Sequence, residues 1–314
     1  MTSTRGDADL ATGGSSGEGR QQHYRPTRRP LSGLLFVAPT AVIVLGLFLV
    51  PLGILIYMSF TDWGLVSGYT GMAGLDNYKS LGDDRLFTGA IKFTLLYTVI
   101  TTIVLFAIAF VLVAISNSPR RGARFYRTAY FLPYVVGTAA ASAMWWVNSS
   151  DNLGVFNQVV KATGLTDQPV GFLTTPTKAL WTTIALVVWK FVGFQVIILL
   201  VGLQAVPVQL YEAARVDGAS AWQRLRYITI PSIRPTLALL TVLSVTGSLL
   251  AFDQFFVLTH GNPNNSTVTL VLAIYNKAFQ SFRLGNAAAE AVVLLVALVI
   301  LNVLQLRLLR RREN

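Results

Sequence analysis

Two short helices with a sharp bend between them are encoded by residues 207–235, which read PVQLYEAARVDGASAWQRLRYITIPSIRP. Pro207 suits the first turn of a helix, and the residues of Val208–Asp217 favour helix formation. Gly218 follows and can adopt the left-handed conformation that ends a helix. The sequence therefore predicts a first helix that stops at a glycine bend.

The second helix of this segment has its own start and stop pattern. Ser220 with Gln223 three residues later matches a capping box, so a helix is predicted over Ala221–Ile230. Pro231 is expected to end it, because the residue before a proline avoids helical backbone angles. We therefore expect the loop 204–235 to be a stiff, bent helical pair.

Long apolar runs flank this helical loop and continue through most of the chain. Hydrophobic residues make up 53% of the 314 residues and charged residues only 12%, about half the usual charged share of a soluble domain. This composition argues against a disordered chain and against a soluble enzyme. Six runs have about the 20 residues needed to cross a bilayer. They are Leu34–Phe60, Phe93–Ile115, Thr128–Val147, Leu180–Leu203, Thr236–Leu258 and Ala287–Leu308. The predicted fold class is an all-α integral membrane protein with six transmembrane helices.

The distribution of positive charge predicts the orientation of these runs. Of the 25 Lys and Arg residues, 17 lie at the two termini and in two loops that six spans place on one side of the membrane. They are Arg5, Arg20, Arg25, Arg28, Arg29, Arg120, Arg121, Arg124, Arg127, Arg215, Arg224, Arg226, Arg234, Arg307, Arg310, Arg311 and Arg312. Cytoplasmic loops carry an excess of Lys and Arg. Both termini and the helical loop are therefore expected in the cytoplasm.

The N-terminal residues 1–30 are rich in Gly, Ser, Thr and Arg, which predicts a disordered cytoplasmic tail. The pair Arg28–Arg29 before an apolar run raises the alternative of a twin-arginine export signal. The run that follows is longer than the 7–15 residues of a signal peptide and lacks a clear cleavage site. It is interpreted as an uncleaved first span.

Several kinds of chemistry are excluded by residue content. The chain has no cysteine and two histidines, His23 and His260, which argues against disulfides, thiolate catalysis and a metal site. A phosphate-binding G-x-x-x-x-G-K-[ST] motif is absent, so the chain is not expected to hydrolyse ATP. No enzyme activity and no cofactor are expected. A DNA-binding helix-turn-helix, suggested by the bent pair and the net charge of +11, is excluded because the pair lies between two spans.

The helical loop resembles the EAA motif of ABC importer membrane subunits. The resemblance is carried by Glu212-Ala213-Ala214, Gly218 and Ile228-Thr229-Ile230-Pro231, with Ile230 where the motif usually has Leu. Other segments are similar to the carbohydrate-uptake branch, which includes the larger membrane subunit of maltose-like transporters. They are Phe60-Thr61-Asp62-Trp63, Gly74-Leu75-Asp76-Asn77-Tyr78, Tyr130-Phe131-Leu132-Pro133, Asp217 to Trp222, Phe252-Asp253, Val257-Leu258-Thr259, Gly261-Asn262-Pro263 and Asn265-Ser266-Thr267. The resemblance covers residues 34–312, with Phe93-Thr94 departing from the usual Asn-Thr pair.

This resemblance implies a type I ABC importer fold and a division of the chain. Residues 1–30 are the tail, 31–88 the first transmembrane helix with an external loop, 89–308 a five-helix core with the coupling loop 204–235, and 309–314 a cytoplasmic C-terminus. The implied partners are a second permease subunit, a pair of ATPase subunits and an extracytoplasmic sugar-binding protein. The chain itself would contact the lipids of the bacterial cell membrane. No nucleic-acid partner is implied.

The resemblance also implies which residues couple the chain to its ATPase. They are Glu212, Ala213, Ala214, Asp217, Gly218, Ile228 and Pro231. Small alanines allow close docking in a groove, and a carboxylate suits a cation on the partner. Glu212 has an alternative role, because it could pair with Arg215 three residues later on the same helix.

Polar residues within the predicted spans are candidates for a substrate pathway, because ionisable groups at membrane depth are costly and usually functional. The candidate set is Lys190, Gln195, Ser248, Asp253 and Gln254. The alternatives stay open. Lys190 could extend to the interface, Asp253 and Glu290 could be ordinary charges at loop ends, and Gln195, Ser244, Thr246 and Ser248 could pack helix against helix. Likewise Trp145, Trp146, Trp181 and Trp189 suit sugar stacking or an interfacial aromatic belt.

These features favour a transport subunit that forms half of a sugar pathway and couples it to a separate ATPase. The alternative is a self-contained secondary transporter or channel. Such transporters often show two similar halves, and no internal repeat is evident here.

Overall fold

The computed structural model describes residues 30–116, 123–151, 154–164, 166 and 168–310, and divides the chain into two units, residues 1–51 and 52–314. The predicted disordered tail, apart from Pro30, lies outside the described residues. The same holds for part of the basic loop, residues 117–122, and for the last residues of the predicted C-terminus, 311–314.

The first unit holds helix α1 (Pro30–Val44) and a π-helical turn, Leu45–Leu49. Helix α2 (Val50–Ser59) begins at the boundary and belongs mostly to the second unit. The remaining elements of the second unit are β1 (Thr61–Gly64), β2 (Gly68–Met72), α3 (Asp76–Ser80), α4 (Arg85–Ser116), α5 (Ala123–Val135), α6 (Thr138–Asn148), α7 (Val155–Ala162), α8 (Pro176–Gln204), α9 (Val208–Val216), α10 (Ala221–Arg224), α11 (Ile230–Ser232), α12 (Arg234–Leu249), α13 (Leu270–Tyr275) and α14 (Leu284–Arg310). Further π-helical turns are Leu225–Thr229, Phe255–Thr259 and Asn276–Gln280.

Four helical segments of the described chain are long and apolar enough to cross a membrane. They are Phe36–Ser59, Arg85–Ile115, Pro176–Gln204 and Leu284–Arg307. A fifth candidate arises when the bent pair Ala221–Ser232 and Arg234–Leu249 is counted as one span. The first, second, fourth and sixth predicted runs therefore form long helices.

The other two predicted runs are broken, so they do not form single continuous helices. Thr128–Val147 is divided between α5 and α6, because Gly137 adopts an extended backbone with φ −57° and ψ 142°. Thr236–Leu258 ends as α12 at Leu249. The carbonyl of buried Ala251, just beyond, accepts a hydrogen bond from the Thr269 hydroxyl at 2.7 Å. A break in a membrane helix is tolerated where protein satisfies the freed backbone groups.

The prediction of an all-α chain is wrong in one detail, a small antiparallel hairpin of β1 and β2. Its register pairs Thr61 with Met72 and Gly64 with Gly68, with an irregularity after Asp62. Gly68 has a φ of 71°, which suits a tight reversal. The Asn77 side chain holds the base of the hairpin, donating to the carbonyls of Ser59 at 3.0 Å and Thr61 at 2.9 Å.

The core of the second unit forms where α4, α8, α12, α13 and α14 pack together, with α5 against α8. Phe255 is fully buried at its centre and meets Phe93 edge-on at 5.3 Å and Tyr97 edge-on at 4.9 Å between ring centroids. Such aromatic pairs add to the burial of apolar surface. The core therefore fixes the start of the broken segment after α12.

Candidate functional site

The bend between α9 and α10 has the geometry that its sequence predicts. Gly218 has a φ of 76°, in the left-handed region that glycine adopts without a steric cost. The Ala219 N–H donates to the Ala214 carbonyl at 2.8 Å, and the Gly218 N–H donates to the Arg215 carbonyl at 3.1 Å. These two bonds form a Schellman motif, which satisfies the last carbonyls of a helix. The first helix therefore ends in a fixed turn.

The start of the second helix is equally well defined. The Ser220 N–H donates to Gln223 Oε1 at 2.7 Å, and the Gln223 N–H donates to Ser220 Oγ at 3.3 Å. This is the predicted capping box. Arg224 Nη1 also donates to the Ala219 carbonyl at 3.1 Å. Hydrogen bonds therefore restrain the chain on both sides of Gly218.

The prediction that Pro231 ends the second helix is wrong. The chain continues from α10 through the π-helical turn into α11, and Ile230 keeps helical angles of φ −60° and ψ −45°. A proline inside a helix lacks an N–H donor and crowds the carbonyl four residues earlier. The wider π turn before it, closed by Ile230 N–H to the Leu225 carbonyl, relieves such crowding. The axis turns by 69° only at Ile233, which is buried.

A cross-contact joins the two halves of the helical loop. The Tyr211 hydroxyl lies 3.0 Å from Thr229 Oγ1. Together with the turn at Gly218, this contact makes the loop a closed, two-helix unit held at both ends.

The predicted coupling residues are accessible on the surface of this unit. Glu212, Ala213, Asp217 and Gly218 are exposed, and Ala214, Ile228 and Pro231 are partly exposed. Within the described part of the chain, no ion pair joins Glu212 to Arg215. The carboxylate is therefore not engaged in the alternative pair within its own helix.

Several large apolar side chains on the helical loop are exposed, and three of them are the most exposed. Val216 is 88% exposed, Trp222 66% and Tyr227 70%. None of the three is among the predicted coupling residues. In the sequence, the only signal for a docking role is that these apolar residues lie within a helical pair capped by polar residues.

A cavity of about 420 Å³ lies between the spans. It brings together four of the five predicted pathway residues, Gln195, Ser248, Asp253 and Gln254, and also Ser244. Gln195 Nε2 donates to Ser244 Oγ at 2.6 Å, while Gln195 Oε1 is buried without a hydrogen-bond partner. Gln254 Nε2 donates to the Tyr97 hydroxyl at 3.3 Å, and Asp253 is exposed. The cavity therefore offers a carboxylate and amide groups to a polar occupant.

Aromatic rings form much of the remaining wall of this cavity. They are Tyr97, Tyr134, Phe191, Phe194 and Phe252. None of these rings is among the predicted pathway residues. The spacing of Phe191, Phe194 and Gln195 could have indicated them, because residues three and four apart share one face of a helix.

Lys190, the fifth predicted pathway residue, does not line this cavity. It is 3% exposed, and its ammonium group donates to the backbone carbonyls of Tyr134 and Val136. Trp145 also lies elsewhere, 6.0 Å from Trp189 and 5.0 Å from Phe156 between ring centroids. Among the described residues, no tryptophan lines the cavity.

Glu290 belongs to a separate charged cluster beside the start of α4. Its fully buried carboxylate lies 4.0 Å from the Lys277 ammonium, which also forms a salt bridge with Asp84. Burial raises the pKa of the Asp84 carboxyl, but the hydrogen bond from Lys277 and those from the Phe87 and Leu86 N–H groups outweigh it, so the net pKa is lowered. Asp84 thus serves as an ionised cap for α4.

Known proteins are similar to this chain in sequence and fold over most of their length. Residues 93–314 match the family described as binding-protein-dependent transport system inner membrane component. The chain is 30% identical over 279 residues to the probable starch degradation products transport system permease protein AmyD of Thermoanaerobacterium thermosulfurigenes, covering 89% of this chain and 94% of that protein. It is 33% identical over 290 residues to the lactose transport system permease protein LacF of Rhizobium radiobacter, covering 90% and 95%.

The fold has a solved counterpart. A chain of a bacterial ABC transporter involved in the import of the acidic polysaccharide alginate superposes with a TM-score of 0.80 at 25% identity, covering 90% of this chain and 96% of that one. These similarities do not favour the alternative of a self-contained secondary transporter or channel. The chain belongs to the family of binding-protein-dependent transport system inner membrane components, as a multi-pass permease subunit of an ABC importer.

Proposed function

We propose that this chain forms half of the translocation pathway of an ATP-driven sugar importer in the bacterial cell membrane. A second permease subunit supplies the other half, a separate pair of ATPase subunits supplies the energy, and an extracytoplasmic binding protein delivers the sugar. The observation that carries the proposal is the helical loop 204–235, a two-helix unit with a fixed bend and an exposed apolar surface.

The helical loop suits the transmission of force from a cytoplasmic ATPase. An element that couples two proteins must move as a body, and the Schellman turn, the capping box and the Tyr211–Thr229 contact restrain this one internally. Its exposed Val216, Trp222 and Tyr227 offer apolar side chains to a partner. Glu212 then pairs with a cation of the ATPase, since its carboxylate is exposed and unpaired in this part of the chain.

The cavity supports the choice of a sugar as cargo. Hydroxyl-rich rings are held by a few placed polar groups and by aromatic faces, and the cavity offers both kinds of group. AmyD and LacF, by their names, belong to transport systems for starch degradation products and for lactose. Gln195, Ser248, Asp253 and Gln254 are the residues that we assign to the pathway.

Six membrane crossings account best for the broken segments. Helices α5 and α6 together make the third crossing, and α12 with the helical residues up to Thr259 makes the fifth. With this count, the arginine-rich segments and both termini lie in the cytoplasm, as the positive-inside rule requires. The helical loop then lies on the same side as the ATPase.

Cysteine cross-linking tests the proposed docking surface, because the chain has no native cysteine. Val216→Cys and Val66→Cys form a matched pair, since the two valines are 88% and 86% exposed. The importer is treated in membranes with a bifunctional thiol-to-amine reagent, and adducts are identified by mass spectrometry. We expect an adduct with an ATP-binding subunit from Val216→Cys alone. An adduct of that subunit with Val66→Cys, or none with either variant, would contradict the proposal.

A further inference from the structure

Lys190 is tied to backbone rather than to other charged groups. It lies in the middle of α8, and its Nζ is 3.3 Å from the Tyr134 carbonyl and also bonds to the Val136 carbonyl. The ammonium group also lies 5.2 Å from the centre of the Phe191 ring and 5.8 Å from that of Tyr134. Among the described residues, no carboxylate forms a salt bridge with it. Carbonyl dipoles and aromatic rings therefore stabilise the charge.

The two carbonyls belong to the point where α5 ends. The last four carbonyls of a helix have no partner within the helix, and at membrane depth water does not replace it. A lysine near a helix C-terminus satisfies such carbonyls and matches the negative end of the helix dipole. Lys190 therefore compensates the break between α5 and α6, which Gly137 creates.

The same joint is held by close backbone packing. A Cβ atom added to Gly193 would lie 1.9 Å from the Tyr130 carbonyl oxygen, so only glycine allows α5 to approach α8 this closely. The Tyr134 ring stacks on Phe194, with centroids 4.8 Å apart and planes inclined by 11°. Tyr134 and Thr138, on the two sides of the break, both line the cavity.

We propose that Lys190 is a positioning residue for transport: by binding the carbonyls at the end of α5, it fixes Tyr134 and Thr138 as one wall of the pathway cavity. It does this from behind the wall and does not contact the cargo. The inference rests on the proposed function for its consequence in transport, but the positioning itself is a statement about the fold.

Thiol labelling tests the positioning without transport. Thr138→Cys is introduced into the full chain in membranes, and its reaction rate with a small water-soluble methanethiosulfonate is measured in four backgrounds: native, Lys190→Met, Lys190→Arg and Lys178→Met. Methionine keeps the unbranched chain, one atom shorter, and removes the donor, whereas arginine keeps the donors. Lys178 is an exposed lysine of the same helix and serves as the control.

We expect Lys190→Met to change the labelling rate on the order of tenfold. This ratio corresponds to the free energy lost with one hydrogen bond to a charged group. Lys190→Arg and Lys178→Met should stay close to the native rate. Should Lys190→Met fail to accumulate in the membrane, Lys190→Gln, which keeps an N–H donor on a shorter side chain, replaces it and should change the rate less than tenfold but measurably. A native rate in the methionine or glutamine variant, or an arginine variant that behaves like methionine, would overturn the positioning.

Sugar uptake by the complete importer gives the second measurement. Lys190→Met should raise KM on the order of tenfold and lower the maximal rate much less, since the wall is displaced while the helical loop is intact. An unchanged KM together with a tenfold lower maximal rate would overturn the role in transport. Uptake that is absent from the native importer as well would refute the proposed function, while the labelling result would still decide the positioning.

Discussion

Replacing Gly218 by valine should weaken docking of the ATPase while leaving the subunit in the membrane. Gly218 holds a φ of 76°, and nothing lies within 4 Å of the position that a Cβ would take. The substituted side chain therefore meets only its own backbone. An L-residue in the left-handed region costs about 1–2 kcal/mol, and a β-branched residue stands at the upper end. The strain is confined to one turn of the helical loop.

The magnitude of the effect follows from this strain. A cost of about 1–2 kcal/mol changes an equilibrium by a factor of about 5–30. The bonds from Ala219 to Ala214 and from Gly218 to Arg215 depend on the left-handed turn, so the strained chain favours conformations in which the two helices separate. Binding of the ATPase, which selects the bent form, should weaken by the same factor.

Co-purification of the ATPase with the membrane subunits, measured together with sugar uptake, is the appropriate assay. Gly218→Asn is the matched control, because asparagine tolerates the left-handed region far better than valine. With Gly218→Val we expect retention of the ATPase to weaken about 5- to 30-fold and uptake to fall with it. Gly218→Asn should give near-native values, and both variants should be present in the membrane in similar amounts. Native binding and uptake with Gly218→Val would refute the view that this bend is the mechanical joint.

Three further predictions concern orientation, stability and cargo. Ser16→Cys should resist an impermeant thiol reagent in intact cells while Val66→Cys reacts, and labelling of Ser16→Cys would reverse the proposed topology. The lowered pKa of Asp84 means that its salt bridge with Lys277 stabilises the fold above the unfolded-state pKa of about 3.9 and is lost as pH falls through the folded-state pKa. The unfolding temperature of the native chain should therefore drop more steeply than that of Asp84→Asn between about pH 5 and pH 3, and parallel curves would contradict this. Asp253→Asn should raise the KM for sugar about 10- to 100-fold, and an unchanged KM would remove Asp253 from the pathway.

The local structure of the helical loop could be predicted because it depends on neighbours in sequence. A capping box needs only Ser220 and Gln223, and a left-handed turn needs only Gly218 after a run of helix-forming residues. The apolar runs that became long helices were equally evident, since their length and composition are local properties. The helical loop and the long apolar helices make up most of the fold.

The breaks in the spans could not be predicted, because distant residues compensate them. The carbonyl of Ala251 is satisfied by Thr269, and the end of α5 by Lys190, which lies more than fifty residues along the chain. The prediction that Pro231 ends a helix is wrong for a related reason, since the rule for the residue before a proline does not include the π turn that accommodates it. A single sequence shows neither the compensating group nor the turn.

The cavity could be predicted in part. Polar residues at membrane depth indicated Gln195, Ser248, Asp253 and Gln254, which the fold brings together around one space. Lys190 met the same criterion but binds backbone instead. Lys190 and Gln195 differ in which face of α8 they occupy, and an apolar helix gives little indication of its faces.

Reconstitution into liposomes distinguishes a subunit of an ATP-driven importer from a self-contained transporter. The purified chain is compared, alone and together with a second permease subunit, the ATPase pair and a sugar-loaded binding protein, for uptake of labelled sugar with and without ATP inside the liposomes. We expect saturable uptake only with all components and ATP, because this chain carries no phosphate-binding motif of its own. Saturable movement of sugar by the chain alone, down its gradient and without ATP, would contradict it.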